Sequence, residues 1–172
     1  MSGVKCSIRP IRLSDATQHY VDWLNDKDVN KYLESRFSPA TLSSVHAYVR
    51  DAMKEPDTYF FAILDSKSGQ HIGNIKLGPI NRHHLFAEIG FLIGDKIFWG
   101  KGCGSEAIQL VEQLAFGELG IHKLTAGAYA NNIGSIKVLE KCGFIREGLL
   151  KSQCLCDGEF VDGIRFGKLK HV

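Results

Sequence analysis

The segment "FWGKGCGSEAIQLVEQLAF", residues 98–116, places three glycines directly before an amphipathic run. The glycines are Gly100, Gly102 and Gly104, and the apolar residues that follow have the i, i+3, i+4 spacing of a helix. Glycine inside a regular element costs roughly 0.5–1 kcal/mol relative to alanine. The segment therefore predicts either a tight turn or the close approach of a ligand to the backbone, at the start of a helix.

The residues on both sides of this glycine loop predict alternating strands and helices. A helix follows the loop over about 104–119, and two helices near the N-terminus are predicted, one capped by Ser14 or Asp15 and one over 41–54. A further helix is predicted from Asn131 or Asn132 to Gly143. The predicted strands cover residues 6–13, 58–65, 70–78, 85–94, 122–130, 144–155 and 159–169. This order predicts an α/β (α+β) fold, with a mixed, mostly antiparallel sheet of about seven strands, flanking helices and a central β-α-β unit.

Composition is that of an ordinary globular protein, with 44% hydrophobic and 23% charged residues. A length of 172 residues suits one domain over residues 1–172. The formal net charge of +2, without a cluster of basic residues, argues against nucleic acid as a partner. The sequence contains no signal peptide and no run of about 18 apolar residues, so we expect no membrane span and a cytoplasmic location.

Cysteine usage fits a reducing compartment. The five cysteines make an odd number, which argues against a closed disulfide framework. The pair in "CLC" is separated by one residue, and the seven histidines are scattered. We therefore expect no metal site.

A strand, a glycine-rich turn and a helix N-terminus together favour an anion, because free N–H groups and the helix dipole both attract negative charge. The ligand suggested by this pattern is a phosphate or pyrophosphate, and the alternative is a turn that only connects two elements. The segment lacks the G-x-x-x-x-G-K-[ST] pattern of a P-loop. It also lacks the third glycine of a dinucleotide-binding fingerprint.

Several segments resemble the GNAT superfamily of N-acetyltransferases. "WGKGCG" is similar to its pyrophosphate loop, with Trp99 where Gln or Arg is usual. "NNIGSIKVLEKCGF", "IRPIRLSDA" and "GFIREGLL…DGEFVDGIRF" resemble segments of the branch that acetylates the N-terminal alanine or serine of ribosomal proteins. The resemblance covers almost the whole chain and implies the GNAT fold, whose central β-α-β unit binds acyl-CoA.

The resemblance implies acetyl-CoA as co-substrate and no metal. By position, the strand end before the loop would pair with the pantetheine arm, and the loop would bind the pyrophosphate. Asn132 matches a family asparagine that touches the cofactor. An asparagine that only caps the helix would give the same sequence pattern. The implied cofactor-binding residues are Leu92, Ile93, Gly94, Trp99, Gly100, Lys101, Gly102, Cys103, Gly104, Ser105 and Asn132.

Acetyl transfer requires a neutral amine, a site for the oxyanion and help for the departing thiolate. Glu88 is the candidate base, because desolvation inside an apolar strand would raise its pKa. The alternatives are a solvent-facing carboxylate or one paired with an arginine, and Glu88 could also act through water. The tyrosine that acts as general acid in the family is replaced here by Leu139, so Ser135 or Tyr129 would assist the thiolate. A serine at a helix start and a tyrosine in a strand are also common structural residues. The backbone N–H near Ile93 would meet the oxyanion.

We therefore predict an acetyl-CoA-dependent N-acetyltransferase in which the amine attacks directly, with Cys103 as a small filler and not a nucleophile. The expected acceptor is a protein N-terminus. The alternatives are a small-molecule amine (a nucleotide-linked amino sugar, a polyamine or an aminoglycoside) and, from another class, a non-catalytic acyl-CoA-binding sensor. Glu34 could attract a cationic amine. The oligomeric state is left open between monomer and homodimer.

Overall fold

Seven strands form one mixed sheet in the computed structural model, which describes residues 1–170. The strands are β1 Cys6–Pro10, β2 Tyr59–Asp65, β3 His71–Asn81, β4 Phe86–Ile93, β5 Lys123–Tyr129, β6 Ile145–Cys156 and β7 Glu159–Leu169. Their order in the sheet is β1-β2-β3-β4-β5-β7-β6. β4 and β5 are parallel, and each of the other neighbouring pairs is antiparallel. The predicted fold class and the predicted mixed, mostly antiparallel sheet of about seven strands are confirmed.

The helices lie on both faces of this sheet. They are α1 Gln18–Asn25, α2 Lys27–Asn30, α3 Leu42–Ala52, α4 Cys103–Glu112 and α5 Ile133–Lys141. One apolar core lies between the sheet and α4 and α5, and it includes Ile108 and Leu139. A second core lies between the sheet and α1 and α3, and it includes Trp23 and Val49. Because successive side chains of a strand point to opposite faces of the sheet, the same strands contribute side chains to both cores.

The parallel pair β4 and β5 separates after three residues. Pairing runs from Phe86 with Lys123 to Glu88 with Thr125. Beyond this point β4 continues to Ile93 and β5 to Tyr129 without a ladder between them. The sheet is thus open at its centre, and the backbone groups on this edge of β4 are available to a ligand.

The N-terminal helix begins later than the sequence predicts. Asp15 does not cap α1, because its carboxylate is buried and accepts two 2.7 Å hydrogen bonds from the Arg9 guanidinium. A short 3-10 turn covers Leu13–Asp15, and Thr17 caps α1 instead. The predicted single helix after the glycine loop is also wrong in part, since α4 continues as a π-helical segment over Gln113–Glu118. No helix within residues 1–170 is both long and apolar enough to span a bilayer.

Candidate active site

A cleft of about 1380 Å³ follows the opening between β4 and β5. On one side of the sheet it reaches the glycine loop and the first turns of α4 and α5, and on the other it reaches Tyr20 and Phe60 beside α1 and α3. The cleft therefore passes through the sheet. A ligand bound at the glycine loop can extend through the opening and meet a second ligand on the opposite face.

The glycine loop has the geometry of an anion site. Gly100 and Gly102 have φ values of +70° and +85°, a region that side-chain-bearing residues rarely adopt. Gly102 caps α4 without a side-chain acceptor, so N–H groups of the first helical turn have no partner within the helix. These N–H groups and the positive end of the helix dipole lie at the wall of the cleft.

Lys5 adds a positive charge to this loop, a feature that was not predicted from the sequence. A Cβ placed on Gly102 would lie 2.6 Å from Nζ of Lys5. The Glu106 carboxylate in the first turn of α4 holds the segment by accepting hydrogen bonds from the backbone N–H groups of Val4, Lys5 and Cys6 at 2.7–3.0 Å. No local sequence signal links Lys5 to a loop almost a hundred residues away.

The free edge of β4 presents only alternate backbone groups to the opening. The Leu85 carbonyl accepts a 2.7 Å hydrogen bond from the His122 N–H just before β5, and the Ala87 carbonyl accepts one of 3.4 Å from the Thr125 hydroxyl on β5. The Gly94 N–H donates instead to the Ile72 carbonyl on β3 at 2.9 Å. Odd-numbered residues therefore direct their backbone toward β5, and Phe91 and Ile93 face the opening. Phe91 was not predicted, although strand alternation could have indicated it. Leu92 contributes its side chain to the cleft, and Gly94 lies outside the lining, so the prediction for Gly94 is not supported by its position.

Trp99 closes one end of this free edge. Its indole N–H donates a 2.7 Å hydrogen bond to the Ile93 carbonyl. Because that carbonyl is occupied, the N–H of Ile93 is the group left for a ligand. Lys101 lies outside the cleft lining, with its ammonium 5.3 Å from the centre of the Phe98 ring, so its predicted contact is not supported by its position either.

Asn132 and Ser135 lie on the first turn of α5, and both line the cleft. Asn132 Oδ1 accepts a 3.1 Å hydrogen bond from the Ser135 N–H, which caps the helix. The cap uses only the oxygen of Asn132 and leaves its amide nitrogen for another contact. In the described part of the chain the Ser135 hydroxyl makes no hydrogen bond, so it is free to meet a ligand.

Tyr129 ends β5 at the mouth of the opening. Its hydroxyl donates a 2.7 Å hydrogen bond to Glu34 and accepts a 3.1 Å hydrogen bond from Arg36. Burial and the hydrogen bond to Glu34 raise the pKa of the Tyr129 phenol, although Arg36 opposes them. The phenol is therefore protonated at neutral pH, and Glu34 is already engaged by it.

Glu88 is paired with an arginine, one of the two alternatives that the sequence left open. Its carboxylate lies 3.3 Å from the Arg165 guanidinium, and 44% of its side chain is exposed. The expected desolvation of Glu88 is therefore wrong. Glu88 itself does not line the cleft, but Arg165 does, which places this ion pair at the wall on the α1 and α3 side.

Two residues near the cleft have structural roles. Cys103 is 3% exposed, and burial raises the pKa of its thiol, so it fills space in the core and is unsuited to be a nucleophile. Leu139, at the position of the family tyrosine, is 1% exposed and packs in the same core. Of the remaining predicted residues, Gly104 and Ser105 line the cleft on the first turn of α4. Residues 1–170 contain no group of three or more His, Cys, Asp or Glu side chains that could hold a metal ion.

Comparison with known proteins agrees with this geometry. The chain matches the acetyltransferase (GNAT) domain family over residues 6–145. It is 29% identical to the probable N-acetyltransferase YjcK of Bacillus subtilis, over 94% of this chain and 92% of that protein. It is 26% identical to the spermidine N(1)-acetyltransferase of Escherichia coli, over 99% of this chain and 89% of that protein.

A solved structure shows the same fold. The crystal structure of spermidine N-acetyltransferase from Vibrio cholerae, in complex with CoA and spermine, matches with a TM-score of 0.85 at 22% identity. The match covers 98% of this chain and 97% of that one. These comparisons confirm the predicted superfamily and do not support the ribosomal-protein branch. The chain belongs to the GNAT family and is an N-acetyltransferase that uses acetyl-CoA as its co-substrate.

Proposed function

We propose that this enzyme acetylates a primary amine of a small molecule, by direct attack of the amine on the thioester of acetyl-CoA. The observation that carries the proposal is a set of contacts that partly closes the cleft on its acceptor side. A polypeptide N-terminus needs a groove through which the rest of its chain can leave, whereas a small amine can be enclosed.

Three contacts make this closure. The Tyr32 hydroxyl donates a 3.0 Å hydrogen bond to the Asn131 carbonyl. Arg36 donates a 2.5 Å hydrogen bond to the carbonyl at the end of β6, and Lys31 forms a 2.7 Å ion pair with Asp157 in the turn between β6 and β7. The segment after α2 is thus joined to the loop before α5 and to the last hairpin, which covers the acceptor side.

The named relatives favour the same acceptor class. Two of the similar proteins carry the name spermidine acetyltransferase, and one of them is described in complex with spermine. Their substrates are small amines. The protein N-terminus that the sequence suggested has no comparable support, and it becomes an outcome of the experiment below.

We place acetyl-CoA along the cleft from its pyrophosphate to its thioester. The pyrophosphate would lie against Gly100–Ser105 and Lys5, where N–H groups and an ammonium offer complementary charge. The pantetheine arm would follow Phe91 and Ile93 on the free edge of β4. The N–H of Ile93 is then the donor for the oxyanion that forms when the amine attacks the carbonyl.

Proton transfer is assigned to three side chains. An alkyl amine with a pKa of about 10.4 is neutral in only about one part in 2,500 at pH 7, so removal of its proton needs a base. Glu88 takes this role through water, from its ion pair with Arg165 at the wall of the cleft, because its carboxylate does not itself line the cleft. Ser135 would stabilise the departing thiolate from the first turn of α5. Tyr129 is the alternative, and it would have to exchange its hydrogen bond to Glu34 for one to the sulfur.

The test is release of coenzyme A thiol in the presence of a panel of amines, with the product identified by mass. The panel contains spermidine, an amino sugar, an aminoglycoside and peptides that begin with alanine or serine. We expect turnover with at least one small amine and none with the peptides. Turnover with the peptides alone would refute the small-molecule acceptor. Binding of acetyl-CoA without thiol release from any amine would instead support a sensor.

A further inference from the structure

The acceptor side of the cleft contains two polar side chains that the mechanism does not use. Asn74 and Lys76 lie two residues apart on β3, so they share one face of the sheet at a separation of about 7 Å. This face carries α1 and α3, and both residues line the cleft there. They are opposite Leu92 and Gly90 of β4, respectively.

Asn74 is a buried hydrogen-bond donor with no acceptor. The residue is 4% exposed, and its Oδ1 lies 3.0 Å from Nε2 of His71. Because an amide oxygen can only accept, this contact places the proton of the His71 ring on Nε2, and burial lowers the pKa of His71, which favours the neutral ring. The Asn74 amide nitrogen has no hydrogen-bond partner in the part of the chain that the structure describes. A buried polar group left unpaired costs about 1–3 kcal/mol, so a ligand oxygen at this nitrogen would be stabilising.

Lys76 is a cation that no acidic side chain of residues 1–170 pairs with. It lies beside Gly90, where an added Cβ would meet no atom within 4 Å. The next strand, β5, carries Gly127 on the same face. Gly90 thus leaves open space beside Lys76 with room for a ligand group, and the Arg165 guanidinium borders this space at Gly127, 3.4 Å from the position of an added Cβ.

Two tyrosines border the same space. Tyr20 lies 6.1 Å from His71 between ring centres, and Tyr48 lies 5.7 Å from Phe60, which is opposite Lys76 in the sheet. Burial raises the pKa of both phenols, so they are protonated at neutral pH. Neither hydroxyl has a hydrogen-bond partner among the described side chains and backbone groups. The space between Asn74, Lys76 and these two tyrosines, here called the acceptor compartment, therefore contains several hydrogen-bond donors and few acceptors.

The other charged groups near this compartment already have partners. Glu88 pairs with Arg165 at 3.3 Å, and Glu34 accepts from the Tyr129 hydroxyl at 2.7 Å. Asp28 pairs with Lys96 at 3.1 Å. Glu34 keeps its negative charge, because its partner is a neutral phenol at the mouth of the opening. Lys76, on β3, has no carboxylate partner within residues 1–170. A polycation such as spermidine would be repelled there, whereas an anionic oxygen would find both a charge and two or more donors.

We propose that Asn74 and Lys76 bind an anionic oxygen group of the acceptor, so that the substrate is a primary amine that also carries a carboxylate or a phosphate. This inference rests on the proposed function, since it concerns the small-molecule acceptor of the same cleft. The amine would lie toward the opening between β4 and β5, where the thioester arrives. The anionic group would lie over Gly90, against β3.

The test compares amines that differ only in the anionic group. The pairs are 6-aminohexanoate with hexylamine, phenylalanine with phenethylamine, and glucosamine 6-phosphate with glucosamine, with spermidine as the polycation. We expect a higher kcat/KM for the anionic member in the carboxylate pairs or in the phosphate pair, and the pair that responds identifies the group. Lys76→Met should lower that kcat/KM by about 10- to 150-fold, the range for a lost hydrogen bond to a charged group.

Substitutions of Lys76, a control substitution and the KM for acetyl-CoA complete the test. Lys76→Met should remove the difference in kcat/KM between the anionic and neutral members of the responding pair without changing the KM for acetyl-CoA, and Lys76→Glu should shift the preference toward spermidine. Lys67→Met, at an exposed turn outside the cleft, is the matched control and should change nothing. Preference for the neutral or polycationic amine in wild type, or an unchanged preference in Lys76→Met, would overturn the inference alone. Absence of turnover with every amine would overturn the proposed function and this inference with it.

Discussion

Replacing Ser135 with alanine separates the chemical step from folding and from cofactor binding. The Ser135 hydroxyl makes no hydrogen bond within residues 1–170, so its removal leaves no protein group unsatisfied. The helix cap is retained, because Asn132 accepts from the backbone N–H of residue 135 and not from its side chain. We therefore expect the stability of Ser135→Ala to stay within about 0.5 kcal/mol of wild type.

The expected loss falls on the departure of the thiolate. A hydrogen bond to a charged group contributes about 1.5–3 kcal/mol, which corresponds to a rate decrease of roughly 10- to 150-fold. The assay is single-turnover transfer with preloaded acetyl-CoA, with the affinity for coenzyme A measured separately by calorimetry. Ser43→Ala, an exposed serine on α3 outside the cleft, is the matched control.

Tyr129→Phe is measured beside it, because Tyr129 is the other candidate acid. This change also removes two hydrogen bonds, to Glu34 and from Arg36, so its thermal stability must be recorded. An unchanged rate for Ser135→Ala with a large decrease for Tyr129→Phe would refute the assignment to Ser135. Unchanged rates in both variants would mean that the thiolate departs without a side-chain donor.

Three further predictions follow from other contacts. Glu88→Gln should lower turnover at neutral pH by about 10²–10⁴-fold and leave acetyl-CoA affinity nearly unchanged, and identical pH–rate profiles for the variant and wild type would make Glu88 structural only. Lys5→Met should weaken acetyl-CoA binding and reduce the salt dependence of its calorimetric dissociation constant, whereas an equal effect of salt on both proteins would remove Lys5 from the phosphate site. Asp15→Asn should destabilise the fold by about 3 kcal/mol in urea unfolding at pH 7, because it breaks a largely buried ion pair with Arg9. Burial raises the pKa of Asp15, but the hydrogen bonds from Arg9 and the Arg12 N–H outweigh it and hold the pKa below its usual value. The stabilisation is therefore complete above the unfolded pKa of about 3.9 and is lost as the pH falls through the folded value, so the difference between Asp15→Asn and wild type should shrink below about pH 4. A difference that stays constant down to pH 2 would contradict this.

The positions of the strands along the chain and the glycine loop could be predicted because both depend on local properties. Side-chain alternation identifies a strand, apolar spacing identifies a helix, and a left-handed backbone at Gly100 and Gly102 requires residues without a Cβ. The helix cap at Asn131 or Asn132 could also be predicted, because the capping contact of Asn132 joins residues three apart in the chain. Such contacts are visible in sequence because the interacting residues are neighbours in the chain.

The roles of charged and buried polar residues were not predictable in this way. Asp15 has the local pattern of a helix cap, yet its partner is a guanidinium on β1. Glu88 lies in an apolar stretch, but a residue 77 positions later supplies its ion pair. In both cases an ion pair outweighs the local preference, since Asp15 pairs with a residue six positions earlier and Glu88 with a residue on β7, and pairing a charge gains more than a cap or a strand position does.

The sequence by itself determined the fold class and the family, and it indicated the glycine loop at which we propose that coenzyme A binds, because these follow from local periodicity and from residues close together in the chain. Only the tertiary structure decided that β4 and β5 separate after Glu88, that Lys5 lies beside the glycine loop, and that Asn74 and Lys76 face the open space beside Gly90. Each of these depends on how distant segments are brought together. The acceptor side of the cleft is built from such contacts, which is why the nature of the amine had to be inferred from the structure.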